Sequence, residues 1–98
     1  MLFANIYRYK KDLSEADEAR VLQLFSNWHP PAGMEIKHWW FDANQTGIVI
    51  FEADNAEVIA QGLAPWNIYF DWEVSPIVEI ATLAEMGGEA VAWRNSIS

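Results

Sequence analysis

Apolar positions recur at two different periods along the chain, and each change of period marks a boundary between elements. Segments rich in aliphatic and aromatic residues, typical of strands, cover residues 2–9, 34–41, 46–53 and 68–78. Apolar residues at helical spacing predict one helix over residues 14–27 and a second helix after residue 54. The pattern therefore predicts the order β-α-β-β-α-β.

Local signals support these boundaries. Ser14 with Asp17, and Asp54 with Glu57, have the spacing of a helix capping box. The polar segment 42–45 is short enough to join the second and third strands as an antiparallel hairpin.

The end of the chain carries weaker signals. Thr82 with Glu85 can cap a terminal helix, but Gly87 and Gly88 are expected to interrupt it. We therefore treat residues 81–98 as a C-terminal helical tail on a single domain that covers residues 1–98.

The element order is that of a ferredoxin-like α+β fold, with a four-stranded antiparallel sheet and two helices on one face. Right-handed crossovers place the first and third strands in the centre and the second and fourth at the edges. The nearly continuous apolar run 47–51 suits a central strand, and Pro76 suits an edge strand, where its missing N–H is tolerated.

Both helices cover the same sheet face, so the opposite face, here called the open face, must be covered in another way. Alternation along the first strand gives two sets, and we expect the aliphatic set of Leu2, Ala4 and Ile6 to face the helices. The open face would then carry Phe3, Tyr7, Tyr9, Trp40, Ile48, Ile50 and Tyr69. So large an apolar patch predicts a homodimer formed through the open face.

Composition excludes several classes of function. The chain has 98 residues, 52% of them hydrophobic, and a net charge of -8, which argues against nucleic acid and anionic membranes as partners. Cysteine is absent, so disulfides, thiolate metal sites and thiol catalysis are excluded. No apolar run approaches the roughly 20 residues of a membrane span, and a basic signal region is lacking, which predicts a cytoplasmic protein.

Several segments resemble a small bacterial family, the domain-of-unknown-function family 3303. The resemblance covers about residues 1–80 and is carried by segments 6–9, 51–55 and 71–77, by Trp66, and by the loop with Pro31 and Gly33 that leads into segment 40–42. That family is similar to the dimeric α/β-barrel superfamily, which includes monooxygenases without cofactors, lactone isomerases, haem-dependent enzymes and stress-response proteins. The resemblance implies a fold and a dimer but no activity.

Candidate chemistry centres on three residues. Asp71 and Glu73 lie two apart on a strand, so both carboxylates face the same way and could act as general acid and base or bind a cation. The alternative, which we prefer, is that both are solvated or paired with Arg8 or Lys37. His38 is a candidate base or ligand of a metal or haem, or simply a hydrogen-bonded strand residue.

Five further residues are candidates for contact with a ligand. Their side chains combine an aromatic or amide group with a polar tip, which suits orientation of a small molecule, although each could instead pack at the dimer interface. They are Asn5, Tyr7, Tyr9, Trp40 and Tyr69.

The sequence contains no phosphate-binding glycine loop and no nucleophile elbow, so we predict no cofactor and no metal. The preferred interpretation is a dimer that binds a small molecule at the open face. One alternative is a cofactor-independent enzyme acting on a small aromatic or carbonyl substrate, with His38 or Asp71 as base. The other is a dimer with a structural or partner-binding role and no chemistry.

Overall fold

The computed structural model describes residues 1–97 and has the predicted order of elements. A 3-10 turn, Ala64–Trp66, extends the second helix. The elements are β1 Leu2–Tyr9, α1 Glu15–Asn27, β2 Met34–Phe41, β3 Thr46–Ala53, α2 Ala56–Leu63, β4 Phe70–Pro76 and α3 Ile80–Ser96.

The four strands form one antiparallel sheet in the order β2-β3-β1-β4. The predicted central and edge positions are therefore confirmed, and Pro76 is the last residue of the edge strand β4. β1 is hydrogen-bonded on both sides, with Phe3 opposite Phe51 of β3 and Pro76 of β4. This is the ferredoxin-like arrangement.

Side-chain capping fixes where the first two helices begin. The Ser14 hydroxyl accepts a hydrogen bond from the Asp17 N–H at 3.1 Å, and the Asp17 carboxylate accepts one from the Ser14 N–H at 3.0 Å, which confirms the first capping box. At α2 the prediction was wrong by one residue. Asn55, and not Asp54, is the cap, because its side-chain oxygen accepts from the Val58 N–H at 3.0 Å.

The prediction for the two faces of β1 was wrong. Phe3, Asn5, Tyr7 and Tyr9 face the helices, and Leu2, Ala4 and Ile6 belong to the open face. The reason is register, since directly opposed residues of paired strands share a face. Tyr7 lies opposite Gly47 and Asn5 opposite Val49, so the aromatic set follows the buried side chains of β3.

The faces of β4 follow from its register with β1. Phe70, Trp72 and Val74 face the helices, while Asp71 and Glu73 are exposed on the open face. Tyr69 was predicted on the open face, and this prediction was wrong. It lies before β4 and is buried in the core cluster. Val21 of α1, which has no exposed surface, belongs to the same cluster.

A β-bulge at Lys37 resets the alternation of β2. Ile36 is opposite Phe51, His38 is opposite Ile50, and Trp39 is opposite Val49. Ile36 and Trp39 therefore both face the helices despite their odd spacing of three residues, as expected for an inserted residue. His38 lies on the open face together with Trp40, which the sequence predicted there.

The terminal helix differs from its prediction. α3 begins at Ile80 and continues without interruption through Gly87 and Gly88 to Ser96, although Ser98 lies outside the described residues. Every residue from 78 to 97 is exposed, and the protein measures 62 × 30 × 19 Å. Within residues 1–97, no helix is both long enough and apolar enough to cross a membrane.

The absence of a side chain at Gly47 is a packing requirement. A Cβ built there would overlap the ring of Tyr7, the residue of β1 that lies opposite Gly47. By contrast, nothing lies within 4 Å of a Cβ built at Gly88.

We expect Gly47→Ala to lower the free energy of unfolding by about 2 kcal/mol or more, because the Tyr7 ring must move in a packed interior. Urea unfolding of the full chain measures this. The matched control is Gly88→Ala, which makes the same change in an open position and should not lower stability. Equal destabilisation by both substitutions would contradict the packing of Tyr7 over Gly47.

Candidate ligand-binding cavity

A cavity of about 40 Å³ lies between the sheet and the two helices and opens to solvent. Its wall is almost entirely apolar. Asn5 and Tyr7 contribute from β1, Val49 and Phe51 from β3, and Trp72 from β4. Residues from α1 and its C-cap, from β2, from the end of α2 and from the 3-10 turn also line it.

Four aromatic side chains of this wall are called the aromatic cluster: Phe25, Trp28, Trp39 and Trp66. The Phe25 ring centroid lies 4.7 Å from that of Trp66 and 5.2 Å from that of Trp39. Trp28 meets both tryptophans edge-on, at 5.9 Å. These separations and angles are those preferred by interacting aromatic rings, so the cluster is a packed wall with defined geometry.

Tyr7 and Trp39 connect β1 to β2 across the intervening strand. The indole N–H of Trp39 donates a hydrogen bond of 2.6 Å to the Tyr7 hydroxyl. Two local features make this contact possible, since the bulge at Lys37 turns Trp39 inward and Gly47 leaves room for the Tyr7 ring. Trp39 lines the cavity and is also partly exposed, which places it at the opening.

Burial changes the ionisation of the two tyrosines of β1. Removal from water raises the pKa of Tyr7 above its usual value, against the opposing effect of the hydrogen bond from Trp39. Burial also raises the pKa of Tyr9, with a smaller contribution from the negative charge of Glu18. Both side chains are therefore neutral hydrogen-bonding groups over the physiological pH range.

Asn5 is the unusual residue of the cavity. It is 4% exposed, lies between Val49 and Val74 on the neighbouring strands, and lines the cavity. Its side-chain oxygen Oδ1 is buried and accepts no hydrogen bond within residues 1–97. Such a group normally has a partner, because an unsatisfied buried oxygen costs about 1–3 kcal/mol.

The candidate acid–base residues lie on the other side of the sheet. Asp71 forms an exposed ion pair of 2.7 Å with Lys10, so its partner is neither Arg8 nor Lys37. Lys37 instead pairs with Glu35 at 3.2 Å. His38 stacks flat against Trp40, with ring centroids 4.8 Å apart. Within residues 1–97, no group of three or more His, Cys, Asp or Glu side chains could hold a metal ion.

The structure therefore divides the residues that the sequence proposed as one site. Asn5 and Tyr7 line the cavity on the helix side, whereas His38, Trp40, Asp71 and Glu73 lie on the open face. Tyr9 stacks on Phe70 with ring centroids 5.0 Å apart, and neither Tyr9 nor Tyr69 belongs to the cavity wall. The chain therefore does not bring Asn5 together with His38 or Asp71 in one catalytic group.

The cavity also contains residues that the sequence analysis did not propose as a site. Phe25 and Trp28 belong to the apolar stripe of α1, and Trp66 follows α2. The spacing of three residues between Phe25 and Trp28 is that of an apolar helix face packed on a sheet. The sequence did not show which residues of β1 face the helices. The register of β1 shows that Asn5 is on the same side as Phe25, Trp28 and Trp66.

We expect the free energy of unfolding to fall less steeply with alkaline pH in the Tyr7→Phe variant than in the unmodified protein. A tyrosine whose pKa is raised in the folded state contributes stability that is complete below pH 10 and is lost as the pH rises towards the folded-state pKa. Urea unfolding at pH 8 and at several values above pH 10 measures the difference between the variant and the unmodified protein. At pH 8 the variant should be about 1 kcal/mol less stable, because Trp39 loses its acceptor. Parallel pH profiles for the two proteins would contradict this assignment.

Comparison with known proteins places the chain in a family. A comparison with curated proteins finds no match, and neither does a comparison with solved structures. A family model with the description "Domain of unknown function (DUF3303)" matches residues 1–91, which is nearly the whole chain. The ferredoxin-like chain described here thus belongs to the family of unknown function DUF3303.

Proposed function

We propose that the protein binds a small aromatic molecule in the cavity between its sheet and helices. The observation that supports this most directly is the unpartnered Oδ1 of Asn5, which is buried in an otherwise apolar aromatic wall. A few polar groups set in an apolar pocket are characteristic of small-molecule sites. The ligand would donate the hydrogen bond that Asn5 lacks.

The size of the cavity limits how the ligand would sit. Its volume is about 40 Å³, well below the ~150 Å³ of an engineered cavity that binds benzene. A whole ring does not fit inside, but a hydroxyl or amino substituent does. The ring would lie at the opening and contact Trp39, with its substituent directed at Asn5.

The chemistry of the wall specifies the class of ligand. The aromatic cluster offers ring faces and edges for stacking, and Asn5 Oδ1 offers a neutral acceptor. Among residues 1–97, no cationic side chain lines the cavity, so an anionic ligand is disfavoured. A phenol, an indole or an aromatic amine satisfies both requirements.

We expect 4-fluorophenol to bind about tenfold more tightly than 4-fluorotoluene, because the two have similar shapes and only the phenol can donate to Asn5. Fluorine NMR titration of the full chain measures both affinities without interference from tryptophan. Equal affinities, or no binding of either compound at millimolar concentration, would contradict the proposed ligand class.

Asn5→Leu provides the matched variant, since leucine has a similar volume and no polar atom. We expect this variant to lose the preference for the phenol and to gain about 1–2 kcal/mol in unfolding free energy, because an unsatisfied buried group is removed. If Asn5→Leu is destabilised and keeps the preference, Asn5 has a structural role and the ligand contacts another group.

We further propose that two copies associate through their open faces. Across the strands, Ile6 lies opposite Ile48, which lies opposite Trp40, so three apolar side chains form a continuous row. Ile6 is 40% exposed and Trp40 is 54% exposed. An exposed apolar row flanked by charged residues is typical of an interface. We also propose a cytoplasmic location, which is the prediction from the sequence.

We expect sedimentation velocity to show a dimer at micromolar concentration, and Ile6→Asp to shift it to monomer. Leu22→Asp is the matched control, because Leu22 is an exposed residue of α1 and the added charge is the same. Each copy carries a net charge of -8, so screening by salt should tighten the dimer several-fold between low and physiological ionic strength. A monomer at all concentrations and salt levels would overturn the dimer.

A further inference from the structure

The hydroxyl of Tyr7 has a proton for which the described chain provides no acceptor. Its oxygen accepts the hydrogen bond of 2.6 Å from the indole N–H of Trp39. Because an indole N–H only donates, this bond leaves the proton of the Tyr7 hydroxyl unused. Within residues 1–97, the bond from Trp39 is the only hydrogen bond of that hydroxyl. Tyr7 therefore keeps one donor for another molecule.

This donor belongs to the same cavity as the unpartnered oxygen of Asn5. Tyr7 is 7% exposed, Asn5 is 4% exposed, and both line the cavity. The two residues are two apart on β1 and share its helix-facing side, so their Cα atoms are about 6.6 Å apart. An almost entirely apolar wall thus contains one unused donor and one unused acceptor on neighbouring positions.

The register of the sheet brings the two groups towards the same row of residues. Val49 of β3 lies opposite both Asn5 on β1 and Trp39 on β2. The side chain of Tyr7 begins two residues away, opposite Gly47, and its ring lies above that glycine. The hydrogen bond from Trp39 therefore directs the Tyr7 hydroxyl over β3 and towards the row that contains Asn5.

The small volume of the cavity limits which substituents satisfy both groups. At about 40 Å³ it admits only a few water-sized groups, each of which needs about 10–15 Å³. Water that enters through the opening can donate to Asn5 and accept from Tyr7. A ligand that displaces such water loses affinity unless its substituent reproduces both hydrogen bonds.

We propose that the Tyr7 hydroxyl donates a hydrogen bond to the same ligand substituent whose proton Asn5 accepts, and that the ligand is therefore a phenol. This rests on the proposed binding of a small aromatic molecule and narrows its class. A phenol hydroxyl donates one hydrogen bond and accepts another, whereas an indole N–H only donates. The nitrogen of an aromatic amine is a poor acceptor, because its lone pair is delocalised into the ring.

The resulting hydrogen bonds form one chain with a single direction. The indole N–H of Trp39 donates to Tyr7, the Tyr7 hydroxyl donates to the phenol, and the phenol donates to Asn5 Oδ1. Hydrogen bonds in such a chain polarise and strengthen one another, most of all in surroundings of low dielectric constant. The apolar wall of the cavity provides these surroundings.

The first test compares 4-fluorophenol with 4-fluoroaniline by fluorine NMR titration of the full chain at neutral pH. The two compounds have similar shapes and both can donate to Asn5, but only the phenol is a good acceptor for Tyr7. We expect the phenol to bind about fivefold more tightly. If both bind equally, and more tightly than 4-fluorotoluene, the role of Tyr7 is wrong and the proposed function stands. If 4-fluorotoluene binds as tightly as both, or if no compound binds at millimolar concentration, both proposals fail.

The second test uses Tyr7→Phe, because a phenol is also the more acidic donor to Asn5. We expect this variant to bind the phenol about fivefold more weakly and to change the affinity for the aniline by less than about twofold. Tyr9→Phe is the matched control, since Tyr9 lies on the same side of β1 but outside the cavity wall, and it should keep the full preference for the phenol.

Two outcomes of the second test would overturn the proposal. A preference for the phenol that survives Tyr7→Phe would assign that preference to Asn5 alone. Equal weakening of both compounds would show that the Tyr7 hydroxyl supports Trp39 and the shape of the wall and does not contact the ligand.

Discussion

The register of β1 determines the side on which every other functional feature lies. β1 is hydrogen-bonded to β3 on one side and to β4 on the other, so its side chains must share faces with both neighbours. Asn5 is thereby placed between Val49 and Val74, and Tyr7 between Gly47 and Trp72. A shift of one residue would move the aromatic residues to the open face, at the cost of the core.

This constraint produces a sheet with two unlike faces. The helix side holds a packed aromatic cluster around a small cavity, in which Asn5 Oδ1 is the unsatisfied group. The open face is aliphatic along its centre and charged at its margins, with His38 stacked on Trp40. Ligand binding and self-association are consequently proposed for opposite faces of the sheet. A substitution on one face is therefore expected to remove one property and leave the other.

Membership of the DUF3303 family establishes the relationship of this chain to others and leaves its activity open. The physical features suggest a division of roles along the chain. Residues 1–76 build the cavity and the open face, whereas no residue of α3 is buried against the rest of the chain. A helix with exposed apolar residues and two central glycines is consistent with a segment that acquires its stability on contact with another molecule.

The sequence by itself determined the order of elements, the central and edge positions of the strands, and the first helix cap. These depend on short-range signals, such as periodicity, Ser14 with Asp17, and a proline that only an edge strand tolerates. It also identified Asn5 and Tyr7 as candidate ligand contacts.

Only the tertiary structure decided which face those two residues occupy. Both sets of alternating residues in β1 are apolar enough to be buried, so periodicity could not choose between them, and pairing with Gly47 and Val49 did. The bulge that turns Trp39 inward and the projection of α3 likewise depend on contacts between distant segments. The cavity exists because those long-range contacts bring β1, α1 and the 3-10 turn together around an oxygen that none of them satisfies.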